Sequence, residues 1–175
     1  MFRKFLNKFQ YSLRSVRFRL HALGKGSLIS LGAVIHIEKK GKINIGRRVR
    51  IMPNSHISVL ENGSLEINDD VNIGRGVVIF CAESIEIGSS SRIAHYVTIV
   101  DHDYQYKNVQ TNFKNRIIKP VKVGNNVWLA ANCIVLKGVC IGAGSVIGAG
   151  TIITQDVPKK SVVYEKKNNI VKSFV

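Results

Sequence analysis

The sequence predicts an all-β fold in which the chain winds as a parallel β-helix. Three observations carry this reading: a six-residue period of aliphatic residues, small or turn-forming residues at a fixed place behind each, and the same phase persisting upstream. In the C-terminal third, Val123, Leu129, Val135, Ile141, Ile147 and Ile153 recur at the six-residue spacing. The residue after each is small or special (Gly124, Ala130, Leu136, Gly142, Gly148, Thr154), and the fourth after each is compact (Val127, Cys133, Val139, Ser145, Thr151, Val157). Such a period is unrelated to the roughly 3.6 residues of a helical turn and too long for strand alternation alone. It suits a short strand followed by a sharp corner, repeated.

The phase continues through Ile45, Ile51 and Ile57, then Ile67, Ile73 and Ile79, then Ile87, Ile93 and Ile99, so the repeat domain spans residues 27–158. Two phase breaks, between Ile57 and Ile67 and between Ile79 and Ile87, lie beside the turn-prone Glu61-Asn62-Gly63-Ser64 and Ala82-Glu83-Ser84 and read as bulging corners. Three repeats make one triangular coil whose aliphatic residues point inward and stack on their counterparts one coil away. Gly, Asn and Asp gather behind the inward residue because corners need backbone angles that β-branched residues resist. Each coil is held mainly by its neighbours, and both ends of the stack need covers.

Composition agrees. With 175 residues and 45% hydrophobic content, one domain with a narrow core is expected. No apolar run approaches a membrane span. Cys81, Cys133 and Cys140 show neither regular pairing nor a CxxC spacing, and read as free thiols of a reducing compartment. The formal charge of +15 implies attraction to anions. Basic residues are not interleaved with aromatics as in a nucleic-acid reading face, and no nucleic-acid motif is present, so no nucleic-acid partner is expected.

Residues 1–24 differ from the rest. Phe2, Phe5, Leu6, Phe9, Leu13, Val16 and Leu20 recur at helical spacing, with Arg3, Lys4, Lys8, Arg14, Arg17 and Arg19 between them and no acidic residue. This is the pattern of a basic amphipathic helix. Over residues 1–22 it would either dock on an anionic membrane or cap the open first coil. A secretory signal is disfavoured because charges recur throughout. Residues 159–175 form a C-terminal tail.

The run Val127-Trp128-Leu129-Ala130-Ala131-Asn132, continuing through Val135-Leu136-Lys137-Gly138-Val139-Cys140-Ile141-Gly142-Ala143-Gly144-Ser145-Val146-Ile147-Gly148-Ala149-Gly150 to Thr154-Gln155-Asp156-Val157-Pro158, resembles the end of the hexapeptide-repeat acyltransferases. It is most similar to the sugar O-acetyltransferases of capsule, exopolysaccharide and O-antigen pathways. The resemblance implies a left-handed β-helix, a homotrimer, and acetyl-CoA bound as acyl donor in the groove between adjacent subunits. Carried over by position, it places the donor beside Trp128, Ala131, Ala149 and Thr154, the two alanines leaving room for a linear thioester to approach the backbone. Gln155 stands where many sugar acetyltransferases have Lys, and Lys137, Lys159 or Lys160 would supply the missing charge.

The regular repeat breaks after Ile99 at Val100-Asp101-His102-Asp103-Tyr104-Gln105-Tyr106, with a polar excursion over residues 100–116 and resumption at Ile117. A loop leaving a rigid scaffold is a common place for function. It carries His102, the only His flanked by carboxylates. Acyl transfer from a thioester to a hydroxyl needs a base for the alcohol proton, and imidazole suits this near neutral pH. The catalytic His of the resembled family also lies in this loop, so His102 is the expected base, with Asp101 or Asp103 orienting it. The expected reaction is direct O-acetylation, in a ternary complex, of a cell-surface saccharide or its lipid-linked precursor. The expected location is the cytoplasm, with the N-terminal helix as a peripheral contact at the inner membrane face.

Other readings remain beside it. His95 lies at an outward corner two residues after Ile93, while His21, His36 and His56 belong to the N-terminal segment or the early coils. A zinc hydratase of the γ-carbonic-anhydrase kind needs a closer His pair than His95 and His102 provide, so no metal is expected. An N-acyltransferase of an amino sugar nucleotide and a non-catalytic trimeric scaffold are the further alternatives.

Overall fold

The computed structural model describes residues 23–107 and 110–166, giving the backbone alone for 106, 107 and 110–114. The first coil holds β1 (Leu28–Ile29), β2 (Val34–Ile37) and β3 (Lys42–Ile45), and the second β4 (Arg50–Ile51), β5 (His56–Val59) and β6 (Ser64–Ile67). The third holds β7 (Asn72–Ile73), β8 (Val78–Cys81) and β9 (Ser84–Ile87). The fourth begins with β10 (Arg92–Ile93) and β11 (Thr98–Val100), departs as a hairpin of β12 (His102–Lys107) and β13 (Gln110–Ile118), and closes with β14 (Val121–Val123). There follow β15 (Trp128–Leu129), β16 (Ile134–Val135) and β17 (Cys140–Ile141), then β18 (Val146–Ile147) and β19 (Ile152–Ile153), and finally β20 (Val162–Val163).

The first strands of successive coils form a seven-stranded parallel sheet (face I), the second strands a six-stranded one (face II) and the third strands a five-stranded one (face III). This is the expected left-handed parallel β-helix, a three-sided prism with the core inside. On face I the inward column runs Ile29, Ile51, Ile73, Ile93, Leu129, Ile147, Val163. Face II stacks Ile35, Ile57, Ile79, Ile99, Val135, Ile153, and face III stacks Ile45, Ile67, Ile87, Val123, Ile141. From the second coil to Ile153 these residues are almost entirely shielded from solvent, and Val163 at the end of the stack is partly buried. Stacking like on like brings each aliphatic side chain against another one strand spacing away, about 4.8 Å.

The corners follow the same logic. Behind the inward residue of face III stand Gly46, Gly88, Gly124 and Gly142, and a Cβ on Gly142 would lie 2.4 Å from the Lys159 nitrogen of the next coil. Ser91 and Ser145 lie buried at the corner leading to face I. The Ser91 hydroxyl donates to the Gly124 carbonyl (2.9 Å) and accepts from the Val127 N–H (3.1 Å), tying two coils. The phase breaks are the corner between faces II and III. There, strands of four residues add a second inward position, so Val59 stacks on Cys81 and Leu65 on Ile85.

Two boundaries differ from the sequence reading. Leu23 bridges Ile45 in parallel, and Val162–Val163 pair with Val146–Ile147, so the coil reaches beyond residues 27–158 at both ends. Ile117 keeps the six-residue phase yet does not resume the coil. It pairs antiparallel with Asp103 and is 41% exposed, and the inward place belongs to Val121, stacked on Ile85. A hairpin strand alternates with period two, so sharing a phase of six with the prism does not turn the side chain inward. The expected helix of residues 1–22 and most of the C-terminal tail, from residue 167, lie outside the described residues. Among the described residues no helix is long and apolar enough to cross a membrane.

Truncating a central inward residue should therefore cost far more than truncating an outward one. Ile79→Ala, fully buried, is expected to lose about 2–5 kcal/mol of unfolding free energy. Ile152→Ala, 49% exposed, should lose about 1 kcal/mol or less. Denaturant melts of the two variants give the comparison, and equal losses would contradict the stacked core.

Candidate active site

The hairpin leaves the prism at the corner between faces II and III, and its departure creates a local problem. In the coils below, backbone N–H groups of this corner are taken up by carbonyls of the next coil, as in Leu60 N–H to the Cys81 carbonyl (2.7 Å) and Ser64 N–H to the Glu83 carbonyl (2.9 Å). Above Ala82, Glu83 and Ser84 the chain is turning out into β12, so those three N–H groups face no carbonyl ladder. The Asp101 side chain takes their place. Its carboxylate accepts from Ala82 N–H (2.8 and 3.0 Å), Glu83 N–H (2.8 Å) and Ser84 N–H (3.0 Å). Asp101 is fully buried, held in a nest of backbone donors that suits an anion.

The same carboxylate fixes His102. Asp101 Oδ1 lies 3.0 Å from His102 Nδ1, and the imidazole is 12% exposed. A carboxylate that accepts three N–H bonds is an acceptor, so in the neutral ring Nδ1 carries the proton and Nε2 keeps its lone pair. Among the described residues no group bonds Nε2. The backbone is pinned on both sides, since Asp101 N–H reaches the Phe80 carbonyl (3.4 Å) and the Asp101 carbonyl accepts from Lys119 N–H (2.9 Å). Lys119 in turn accepts from Gly138 N–H (3.1 Å) and packs over Gly138, whose φ of +79° belongs to the left-handed region.

Asp103 faces elsewhere. It pairs with Lys137 at the same corner one coil further on, so of the two expected orienting carboxylates only Asp101 touches the ring. Lys137 is correspondingly engaged by an acid of the hairpin rather than held open. Tyr104, next along β12, lies under the Arg116 guanidinium at 5.8 Å from the ring centroid.

His95 has the opposite tautomer. Arg75 N–H donates to its Nδ1 (3.1 Å), which places the proton of the neutral ring on Nε2 and removes the outward-facing lone pair. Cys81 lies directly below Asp101 and is not a nucleophile: burial and the Asp101 charge push its thiol up to about 12. Burial also raises Cys133, whereas Cys140 is exposed. Among the described residues no three His, Cys, Asp or Glu side chains gather in a metal-binding group.

The residues expected to border the acyl donor fall into three places. Ala131 and Ala149 stack at the corner between faces I and II, directly beyond His95, through bonds from Asn132 N–H to the His95 carbonyl (3.0 Å) and from Gly150 N–H to the Ala131 carbonyl (2.9 Å). Thr154 is exposed at the far end of face II, on the side of Lys137 and His102. Trp128 lies around the corner on face I, 52% exposed. Face II thus connects the alanine column with the His102 corner, and its outward side chains include Val100, Ile134, Leu136 and Ile152, an apolar surface fit for a thin aliphatic arm. The sequence missed the second task of Asp101, the satisfaction of the Ala82–Ser84 amides. Its signal was present: Asp101 falls at the inward place occupied by Val59 and Cys81 in the coils before it.

Comparison with known proteins agrees with this architecture. The family described as bacterial transferase hexapeptide (six repeats) matches residues 120–155. A probable acetyltransferase of Mycobacterium tuberculosis is 32% identical over 91% of this chain and 55% of its own, so the chain spans about half the length of that relative. The putative lipopolysaccharide biosynthesis O-acetyl transferase WbbJ of Escherichia coli is 28% identical over 79% of this chain and 76% of its own. Among solved structures, the N-acyltransferase AntD of Bacillus cereus, in complex with dTDP-4-amino-4,6-dideoxyglucose and coenzyme A, superposes with a TM-score of 0.74 at 20% identity, covering 91% of this chain and 88% of that one.

The nest and the thiols yield two measurable outcomes. Asp101→Asn turns an NH2 group toward backbone donors and should lower stability by about 2 kcal/mol in a denaturant melt; an unchanged melt would contradict the nest. With native protein near pH 8, mass spectrometry after iodoacetamide treatment should find Cys140 alkylated and Cys81 and Cys133 protected until unfolding. By its repeat and its fold the chain is a left-handed β-helix of hexapeptide repeats, and residues 120–155 match the bacterial transferase hexapeptide (six repeats) family.

Proposed function

We propose that this protein is an acetyl-CoA-dependent O-acetyltransferase acting on a hydroxyl of a cell-surface saccharide or its lipid-linked precursor, with His102 as general base. The observation that carries the proposal is the Asp101–His102 pair at the hairpin base, in which Nδ1 faces the carboxylate and Nε2 is the ring's other edge. Nε2 accepts the proton of the acceptor hydroxyl as its oxygen attacks the thioester carbonyl, and the departing thiolate takes that proton back from the imidazolium. The buried Asp101 carboxylate stabilises the imidazolium between those two steps. Asp103 and Lys137 act as a pair that holds the base of the hairpin against the next coil.

For the acyl donor, the chemistry on the page fits: alanines without obstructing side chains at one edge of face II, apolar side chains across it, and the base at the other edge. Acetyl-CoA would supply the activated acyl group as its thioester and leave as coenzyme A, and Ala131, Ala149, Thr154 and Trp128 are the residues proposed to line it. These positions occupy different sides of one prism, which favours a homotrimer whose grooves are shared between neighbouring subunits. The relationship to the lipopolysaccharide O-acetyl transferase favours a saccharide acceptor. The superposition on an N-acyltransferase keeps an amino-sugar acceptor as the second reading. A cytoplasmic enzyme with peripheral membrane contact through residues 1–22 completes the proposal.

Coenzyme A release from acetyl-CoA tests it, with a panel of hydroxyl-only and amino sugars as acceptors. His102→Ala should lower kcat by a factor of about 10²–10⁴ while coenzyme A affinity changes less than about twofold. Turnover unaffected by the substitution would overturn the assignment, and turnover confined to amino sugars would replace O-transfer by N-transfer.

A further inference from the structure

Face I, on the opposite side of the prism from His102, carries an outward row of a different character. Its rungs read Leu28, Arg50, Asn72, Arg92, Trp128, each side by side with the next in parallel register. Arg50 and Arg92 are therefore two rungs apart, about 10 Å between backbones at the usual strand spacing, with the Asn72 amide between them. They border a recess of about 320 Å³ that is also lined by Gly26, Arg48, Asp70 and Val71.

The charges around this recess are unevenly satisfied. Arg48 closes one side by a two-pronged bond to Asp70 (2.6 and 2.6 Å), and Arg47 grips Asp69 (2.6 and 2.9 Å). The arginines hold both aspartates well below the usual carboxylate range. Elsewhere Lys122 pairs with Glu86, Lys137 with Asp103 and Lys40 with Glu61. Arg50 and Arg92 have no carboxylate partner among the described residues. Asn72 separates the two arginines, so two unpaired positive charges share one face at about 10 Å without being direct cross-strand neighbours. Guanidinium forks flanking an amide, with their carboxylate neighbours already neutralised, present donors that match the oxygens of a phosphate group.

We propose that Arg50, Asn72 and Arg92 form a binding site for the diphosphate of a phosphorylated ligand. Two guanidiniums from rungs on either side of Asn72, both bordering the recess, can each take one phosphoryl group, which a single phosphate would not require. The site lies across the prism from His102 and stands independently of the acyltransfer reading, as a site that binds diphosphate.

Calorimetric titration of the full chain with inorganic pyrophosphate tests this, with coenzyme A at saturation so that the donor groove cannot contribute. The double variant Arg50→Gln/Arg92→Gln should weaken binding at least tenfold, whereas Arg47→Gln, outside the recess, should change it less than twofold. Arg50→Lys/Arg92→Lys, which keeps the charge, should recover part of the loss. A nucleoside-diphosphate sugar that binds tighter than pyrophosphate and responds to the same variants would identify a sugar-linked source, and equal affinities a free one. No pyrophosphate binding, or binding indifferent to the double variant, would overturn the site. His102→Ala should leave the titration unchanged, which separates this result from failure of the acyltransfer proposal.

Discussion

A parallel β-helix must give its backbone N–H groups acceptors, carbonyls of the coil beside it along the strands and side-chain oxygens at several corners, and this requirement organises the whole molecule. Inside the prism it is met by register, with Ile57 above Ile79 and Ile79 above Ile99, so that satisfying the backbone also stacks the aliphatic side chains. At the corner between faces II and III of the fourth coil the chain leaves, and the requirement is broken for Ala82, Glu83 and Ser84. Asp101 repairs the break with its side chain. An anion placed there for structural reasons is buried, fixed and adjacent to the first residue of the hairpin, His102. The proposed catalytic pair thus arises where the ladder is interrupted.

Two consequences follow for how the site works. First, the carboxylate is oriented before any substrate arrives, because its bonds to the amides are those that hold the coil together. Second, the residues in contact with it cannot be read by their chemistry alone. Cys81 is made inert by its burial and, after that, by the same charge, while His102 touches that charge and, when neutral, gains a defined tautomer. His95, bound by a backbone donor instead of a carboxylate, ends with the opposite proton arrangement and points its protonated edge outward.

Much of the fold was legible in the sequence because a six-residue period is a strong signal and the inward column is nearly all Ile, Val and Leu. The phase breaks at Glu61-Asn62-Gly63 and Ala82-Glu83-Ser84 were legible as corners for the same reason. Ile117 misled, since a hairpin of suitable length preserved the phase without preserving the inward direction. His102 stood out by its acidic neighbours, but the choice between Asp101 and Asp103 was not available from adjacency. It depends on inward against outward placement, which becomes plain only when Asp101 is aligned with Val59 and Cys81. The Arg50–Asn72–Arg92 row was hidden because its members are about twenty residues apart and meet only through the coil repeat. The residues proposed for the acyl donor were chosen by position, and they lie on different sides of the prism.

The central claim is that Asp101 sets the proton of His102. The most direct measurement is the nitrogen NMR spectrum of the imidazole in protein labelled at histidine, taken where the ring is neutral. The account predicts His102 protonated at Nδ1 with a free Nε2, and a shift toward mixed tautomers in Asp101→Asn. A ring protonated at Nε2 in the unaltered protein would contradict it.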